Sequence, residues 1–204
     1  MMAVTAIEQM TKTKLKVYID ESFAFVLTKA EAQAYGLREG ASIDDSIYTK
    51  IMDEVIVKKA IFKAMNLLKV RDYTQAQLCM KLKSDFYPPK AIDSAIDYVR
   101  SYHYIDDRRY AENFCLRNAG TMSRQMMTYK LIQKGVPKEL IEDCLNHAET
   151  DEKKQIISLF RQKFCTSDME DVRKRQKILN FFLRKGYTYH DITAALKDID
   201  AQNN

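Results

Sequence analysis

Between Lys14 and Leu27 apolar side chains alternate with polar ones. Leu15, Val17 and Ile19 are separated by Lys16 and Tyr18, and after Asp20-Glu21-Ser22 the alternation resumes at Phe23, Phe25 and Leu27. Two period-two runs around a short polar stretch predict a β-hairpin. Two strands alone are marginal in water, so this hairpin must pack on something else. Thr28 is placed to cap a short helix that reaches about Tyr35 and ends at Gly36. Gly40 and Ser42 begin another turn, and residues 43–52 lead into the first long helix. Residues 1–12 read as a mobile leader.

Beyond the hairpin the periodicity becomes helical and repeats along the chain. Thr74, Ser123 and Lys174 begin three copies, 49 and 51 residues apart. Four residues on stand Leu78, Met127 and Ile178; eight on, Leu82, Leu131 and Phe182. These two offsets place apolar groups on one face of a helix. Eighteen on, every copy has isoleucine (Ile92, Ile141, Ile192), and twenty-two on come Ile96, Leu145 and Leu196, one face of a second helix. Tyr87, Val136 and Tyr187, thirteen on, precede that second helix and are spaced to staple onto its isoleucine. Lys134-Gly135 and Lys185-Gly186 supply a glycine that ends the first helix in copies two and three. Copy one has Asp85-Phe86 there, and Pro88-Pro89 then start its next helix. Thr74 with Gln77 matches a capping box.

A further helix precedes each pair. It spans about residues 51–70 with Val55, Ile61, Met65 and Leu68 in a stripe, then about 107–119 with Tyr110, Phe114 and Arg117, then about 151–164 with Ile156, Leu159, Phe160 and Phe164. In copy three, Ser167 and Glu170 read as a capping box that starts the middle helix early and lengthens it by about two turns. The expected fold is mainly α: three tandem three-helix repeats in an elongated array, behind a small N-terminal β-hairpin and helix. The expected divisions are residues 1–50, 51–104, 105–150 and 151–204. One such unit has little core of its own, and stacked units share apolar faces.

Composition agrees with helices, since 5 Gly and 3 Pro in 204 residues are too few for the many tight turns of an all-β fold. The net charge of +5 permits an anionic partner without requiring one. Cys79, Cys115, Cys144 and Cys165 lie far apart in sequence, each in or beside an apolar helical pattern; they read as thiols in a reducing compartment. The chain has no apolar run of membrane-spanning length, and its start lacks the features of a signal peptide, which points to the cytoplasm.

One segment carries a family resemblance. Tyr104-Ile105-Asp106-Asp107-Arg108-Arg109-Tyr110-Ala111 followed by Phe114 is similar to the central motif of the RecX family, and Ser123, Lys130-Leu131 and Lys134-Gly135-Val136-Pro137 resemble the helix and turn that follow it. Thr74, Leu78, Lys81 and Leu82 look like the equivalent stretch of the first unit. The resemblance runs from about Val55 to the C-terminus, strongest in copy two and weakest in copy three. The family often has glycine where this chain has His103. The resemblance implies a regulator that binds RecA in the groove of its filament on DNA and restrains its ATPase and strand-exchange activities, modulating recombination and repair. It also implies a protein that is not an enzyme and needs no cofactor.

The chemistry-bearing residues favour that reading over catalysis. Asp106 and Asp107 form the most catalytic-looking pair, yet two carboxylates at a helix start suit the orphan N–H groups and the positive helix end; Asp44-Asp45 reads the same way. Arg108 and Glu112 are spaced to pair along one helix. His103, His147 and His190 have no metal-ligand spacing, and no Gly-rich phosphate loop occurs. Basic residues recur instead: Arg124 and Arg175 at one repeat position, Lys81 and Lys130 at another, Lys134 and Lys185 at a third, all flanking the apolar face with heads able to reach solvent. Arg173, Lys174, Arg175, Lys177, Arg184 and Lys185 make the densest cluster. Together with Arg108 and Arg109, these are the candidate contacts to RecA or DNA, against the plainer reading that charge runs are solvated faces. Tyr102, Tyr104, Tyr187 and Tyr189 could stack on bases, but their helix-entry positions favour staple and core packing. The expected partner is the RecA filament, with weak contact to single- or double-stranded DNA, and the expected state a monomer. The alternatives are a stand-alone DNA-binding repeat protein and a helical adaptor for another protein.

Overall fold

In the computed structural model, which describes residues 1–147 and 151–201, the chain divides into two compact units, Met1–Asp106 and Asp107–Asn204. The expected division at residues 150 and 151, and the end of the last repeat at 202–204, lie wholly or partly outside the described residues.

The first unit opens with strands β1 (Met2–Gln9), β2 (Lys14–Ile19) and β3 (Ser22–Thr28), then helix α1 (Lys29–Ala34) and the short β4 (Ser42–Ile43). The sheet is antiparallel in the order β3-β2-β1-β4. β2 and β3 are the expected hairpin. Its turn is Asp20-Glu21, both at positive φ (48° and 63°), the two-residue geometry that matches strand twist. The mobile leader, however, is wrong: residues 2–9 are a strand. A register shift between Val4 and Ala6 hides its alternation, so that Val4 is fully buried but the next core-packed residue is Ile7. A second shift, opposite Val17 and Tyr18, puts Ala24 and Phe25 both in the core and turns Phe23 outward. There Phe23 meets Tyr18 and Phe86 edge-on, at 6.0 and 6.3 Å between ring centres.

Thr28 caps α1 as expected, through a reciprocal capping box with Glu31. The first long helix starts earlier than expected. It runs without a break from α2 (Asp45–Ile51), behind Asp44, through a π-helical stretch (Met52–Val57) into α3 (Lys58–Val70). Its buried line is Met52, Ile56, Ala60 and Ala64; the expected stripe of Val55, Ile61, Met65 and Leu68 packs half-buried beside it. A strict spacing of four drifts off one face of a 3.6-residue helix, and the wider π turn absorbs part of that drift. Helices α4 (Gln75–Ser84) and α5 (Pro89–Ser101) complete the unit. Thr74 and Gln77 form the expected capping box, and Pro89 opens α5. Phe86 takes the left-handed turn position (φ 64°) that Gly135 (φ 76°) and Gly186 (φ 82°) take later. His103 also sits at φ 55°, in the left-handed region that favours glycine.

The second unit holds two sets of three helices: α6 (Asp107–Asn118), α7 (Arg124–Gln133) and α8 (Lys138–His147), then α9 (Glu152–Lys163), α10 (Val172–Arg184) and α11 (Tyr189–Ala201). The repeat positions read from sequence are core: Met127, Leu131, Val136, Ile141 and Leu145 in one cluster, Ile178, Phe182, Tyr187, Ile192 and Leu196 in another. The expected early start of the middle helix in copy three does not occur. Residues Thr166–Met169 form a separate 3₁₀ turn, closed by the Cys165 N–H donating to Asp168, and α10 starts at Val172, capped by Asp171. α10 is longer than α7 by one turn rather than two. The signal at Ser167 and Glu170 failed because Asp171 offers the nearer carboxylate to the N–H groups of Arg173 and Lys174.

Polar contacts join the two sets. The buried Ser123 caps α7 and its hydroxyl donates to the Lys185 carbonyl at 2.8 Å. Gln155, 6% exposed, bonds the Ala119 carbonyl and accepts from the Tyr187 hydroxyl at 2.9 Å. The Arg124 N–H donates to Glu152 at 2.7 Å. Among the described residues no buried side-chain nitrogen or oxygen lacks a hydrogen-bond partner.

Candidate interaction surface

Helix α10 carries Arg173, Lys174, Arg175, Lys177 and Arg184 and no acidic residue. At 100° per residue, Arg173, Lys177, Asn180 and Arg184 fall within about 60° of one another, opposite the buried Ile178 and Phe182. The three cations are exposed and stand about 6 and about 10 Å apart along the axis. Lys177, Asn180, Leu183 and Arg184 line a shallow open cleft. Lys174 lies off this stripe and is paired with Asp168 at 2.8 Å. The hydrogen bond and charge of Asp168 raise the Lys174 ammonium above the ordinary lysine range, and the same bond, with the Cys165 N–H, lowers the Asp168 carboxyl. Lys185 lies over the Phe181 ring at 5.3 Å.

The other candidate cations are dispersed. Lys81, Arg109 and Lys130 are exposed on α4, α6 and α7. Lys134 lies 5.7 Å from the centre of the Tyr110 ring. Arg108 reaches Asp143 on α8 at 3.1 Å, so its expected partner Glu112 is replaced by a carboxylate on another helix. Arg124 does not reach out as expected: its guanidinium bonds the Leu145 carbonyl and the Asn146 side chain, closing the end of α8. A cation there satisfies carbonyls that the helix leaves unpaired.

The tyrosines divide. Tyr187 is buried, as core packing requires, but Tyr102, Tyr104 and Tyr189 are exposed by 58%, 47% and 62%. Sequence reasoning missed the group that Tyr102 and Tyr104 belong to. Tyr98, Tyr102 and Tyr104 stand together, with ring centres 4.9 and 6.0 Å apart, at the end of α5. The signal was available: Tyr98 and Tyr102 are four apart at the end of α5, on the edge of the face formed by Ile92, Ala95, Ile96 and Val99. Among the described residues no three His, Cys, Asp or Glu side chains gather into a metal-binding group. No helix among them is long and apolar enough to cross a membrane.

Tandem three-helix units, with a basic outer face on α10, define a helical-repeat protein. The comparisons make the class specific. Residues 106–145 match the second three-helix domain of RecX and residues 60–98 the first. The regulatory protein RecX of Clostridium acetobutylicum is 25% identical over 98% of both chains. That of Caldanaerobacter subterraneus subsp. tengcongensis is 28% identical, over 96% of this chain and 98% of its own. A crystal structure of regulatory protein RecX matches with a TM-score of 0.61 at 23% identity, covering 97% of this chain and 100% of that one. RecX from Lactobacillus salivarius matches with 0.63 at 23% identity, over 72% of this chain and 97% of its own. Along nearly its whole length the chain is similar to the RecX family. The curated relatives are named regulatory proteins.

Proposed function

We propose that this chain regulates RecA by laying the basic outer face of α10 against an anionic surface of the RecA filament on DNA, with Lys81, Arg108, Arg109, Lys130, Lys134, Arg175 and Lys185 as peripheral contacts. The observation that supports α10 is its charge: five cations, no carboxylate, and three of the cations aligned away from the core. Lys174 contributes less because Asp168 already neutralises it, and Arg124 serves the fold. Contact with DNA is weak in this reading and depends on salt, since each neutralised phosphate releases counterions. The protein acts as a monomer in the cytoplasm, with residues 1–50, 51–104, 105–150 and 151–204 as its working segments.

The test is a RecA ATPase titration on single-stranded DNA with the R173E/K177E/R184E variant. Its half-inhibiting concentration is expected to rise at least about tenfold, equivalent to about 1.4 kcal/mol of lost binding, with an unchanged helical circular dichroism spectrum. Wild-type inhibition by a folded triple variant would remove α10 from the contact.

A further inference from the structure

Two thiols share one core cluster in the second unit. Cys115 on α6 is 1% exposed and Cys144 on α8 is 5% exposed, and the Cys144 thiol donates to the Ile141 carbonyl at 3.2 Å. Both also line a cavity of about 390 Å³ whose remaining wall includes Arg108, Glu112, Leu116, Asp143 and His147. The side chains are therefore closed to bulk solvent but bordered by a space that admits a small molecule. Cys79 belongs to the first unit's core, and Cys165 is exposed ahead of the 3₁₀ turn.

We propose that Cys115 and Cys144 are an oxidation site, closed into an intramolecular disulfide by a low-molecular-weight disulfide that enters this cavity. Two packed helices place both side chains in one core cluster and on one cavity wall, where approach of the sulfurs to bonding distance closes the bond. The two thiols have different roles. Burial raises both, Cys115 to about 12. Cys144 is the first nucleophile because it is the less enclosed of the two, 5% exposed against 1%. The Cys144 thiolate attacks one sulfur of the small disulfide; a mixed disulfide forms and one small thiolate leaves, taking a proton from water. The Cys115 thiol, losing its proton, then attacks the Cys144 sulfur; the 115–144 bond forms and the second small thiol departs. Two protein thiols are oxidised and one small disulfide is reduced to two thiols. The closed loop encloses α7, so oxidation ties α6 to α8 around the helix that carries Lys130.

The high thiol pKa values make the reaction slow at neutral pH and faster as pH rises, because only the thiolate attacks. Cystamine is the suitable probe: it is small, and an ammonium end complements Glu112 on the cavity wall, while Asp143 is held by Arg108. The folded full-length C79S/C165S protein is incubated with cystamine at pH 8.5, quenched with alkylating agent, and digested for mass spectrometry. The expected product is a peptide pair linked through 115 and 144, restored to two alkylated thiols by dithiothreitol. With C115S added, a single cysteamine adduct accumulates on Cys144; with C144S added, Cys115 stays free. No linked pair in the folded protein, or a link that forms only in urea, overturns the site. An adduct building up on Cys115 in the C144S protein overturns the order of attack.

Discussion

At the scale of single residues, the junction between the last two sets of helices rests on one missing side chain. A Cβ on Gly186 would lie 2.7 Å from the Ser123 hydroxyl oxygen and 3.3 Å from the Met126 backbone nitrogen, and the residue also sits at φ 82°. Gly186→Ala therefore meets both a steric and a conformational penalty. A loss of about 2 kcal/mol is expected, read as a lower urea midpoint with an unchanged slope. An unchanged midpoint would mean that Ser123 yields freely. Glu31 sets a pH dependence. Burial alone would raise its carboxyl, but the Lys59 ammonium and the Thr28 N–H and hydroxyl outweigh burial and hold it below the ordinary carboxylate range. A carboxyl whose pKa is lowered on folding stabilises fully above its unfolded value and loses that contribution as pH falls through the folded one. Stability should decline as pH drops below about 4.5, and Glu31→Gln should flatten that part of the profile in thermal melts. An identical acid limb in the variant would assign it to other carboxylates.

At the scale of helices, the sequence and the structure agree where spacing alone carries the information. The isoleucines at 92, 141 and 192 and their partners four residues on are buried in all three copies, because a fixed spacing on one helix face cannot point elsewhere. Disagreements arise where something local breaks the period. Val4 and Phe23 are displaced by register shifts in the sheet. In the long helix the core is lined by Ala60 and Ala64, whose small apolar surface is a weak signal beside larger neighbours. The candidate surface was legible as composition but not as direction. Arg124 and Lys130 both flank the same buried face, and only the nearby end of α8 decides that one turns inward. This separates two substitutions that look alike in sequence. Arg124→Glu removes bonds to the Leu145 carbonyl and the Asn146 side chain and sets a carboxylate near Glu152; it should cost about 2 kcal/mol. Lys130→Glu, at an exposed site, should stay within about 0.5 kcal/mol of wild type. Chemical denaturation of the two variants decides this, and equal midpoints would show that the guanidinium bonds do not hold α8.

At the scale of the whole molecule, the two units differ in what they need. Residues 4–105 contribute one continuous apolar cluster, in which the sheet and α2–α5 cover each other. The second unit has two smaller clusters joined through Ser123, Gln155 and Glu152. A cut after Asp106 therefore leaves each fragment its own core. A cut near residue 150 strips the 107–150 piece of partners for its buried serine and leaves three short helices around a few side chains, which is too little core for a stable fold. Fragments 1–106 and 107–204 should each melt cooperatively by circular dichroism, and 107–150 should show no cooperative transition. If inhibition of RecA uses many shallow contacts along the chain, cutting the covalent link has a second effect. Tethered contacts gain from effective concentration, and that gain disappears when the pieces bind separately. An equimolar mixture of 1–106 and 107–204 should need at least about a hundredfold more protein than the intact chain for half-inhibition of the RecA ATPase. Should 107–204 alone inhibit as well as the intact chain, the contact would lie wholly within the second unit, and the first would serve something other than RecA affinity.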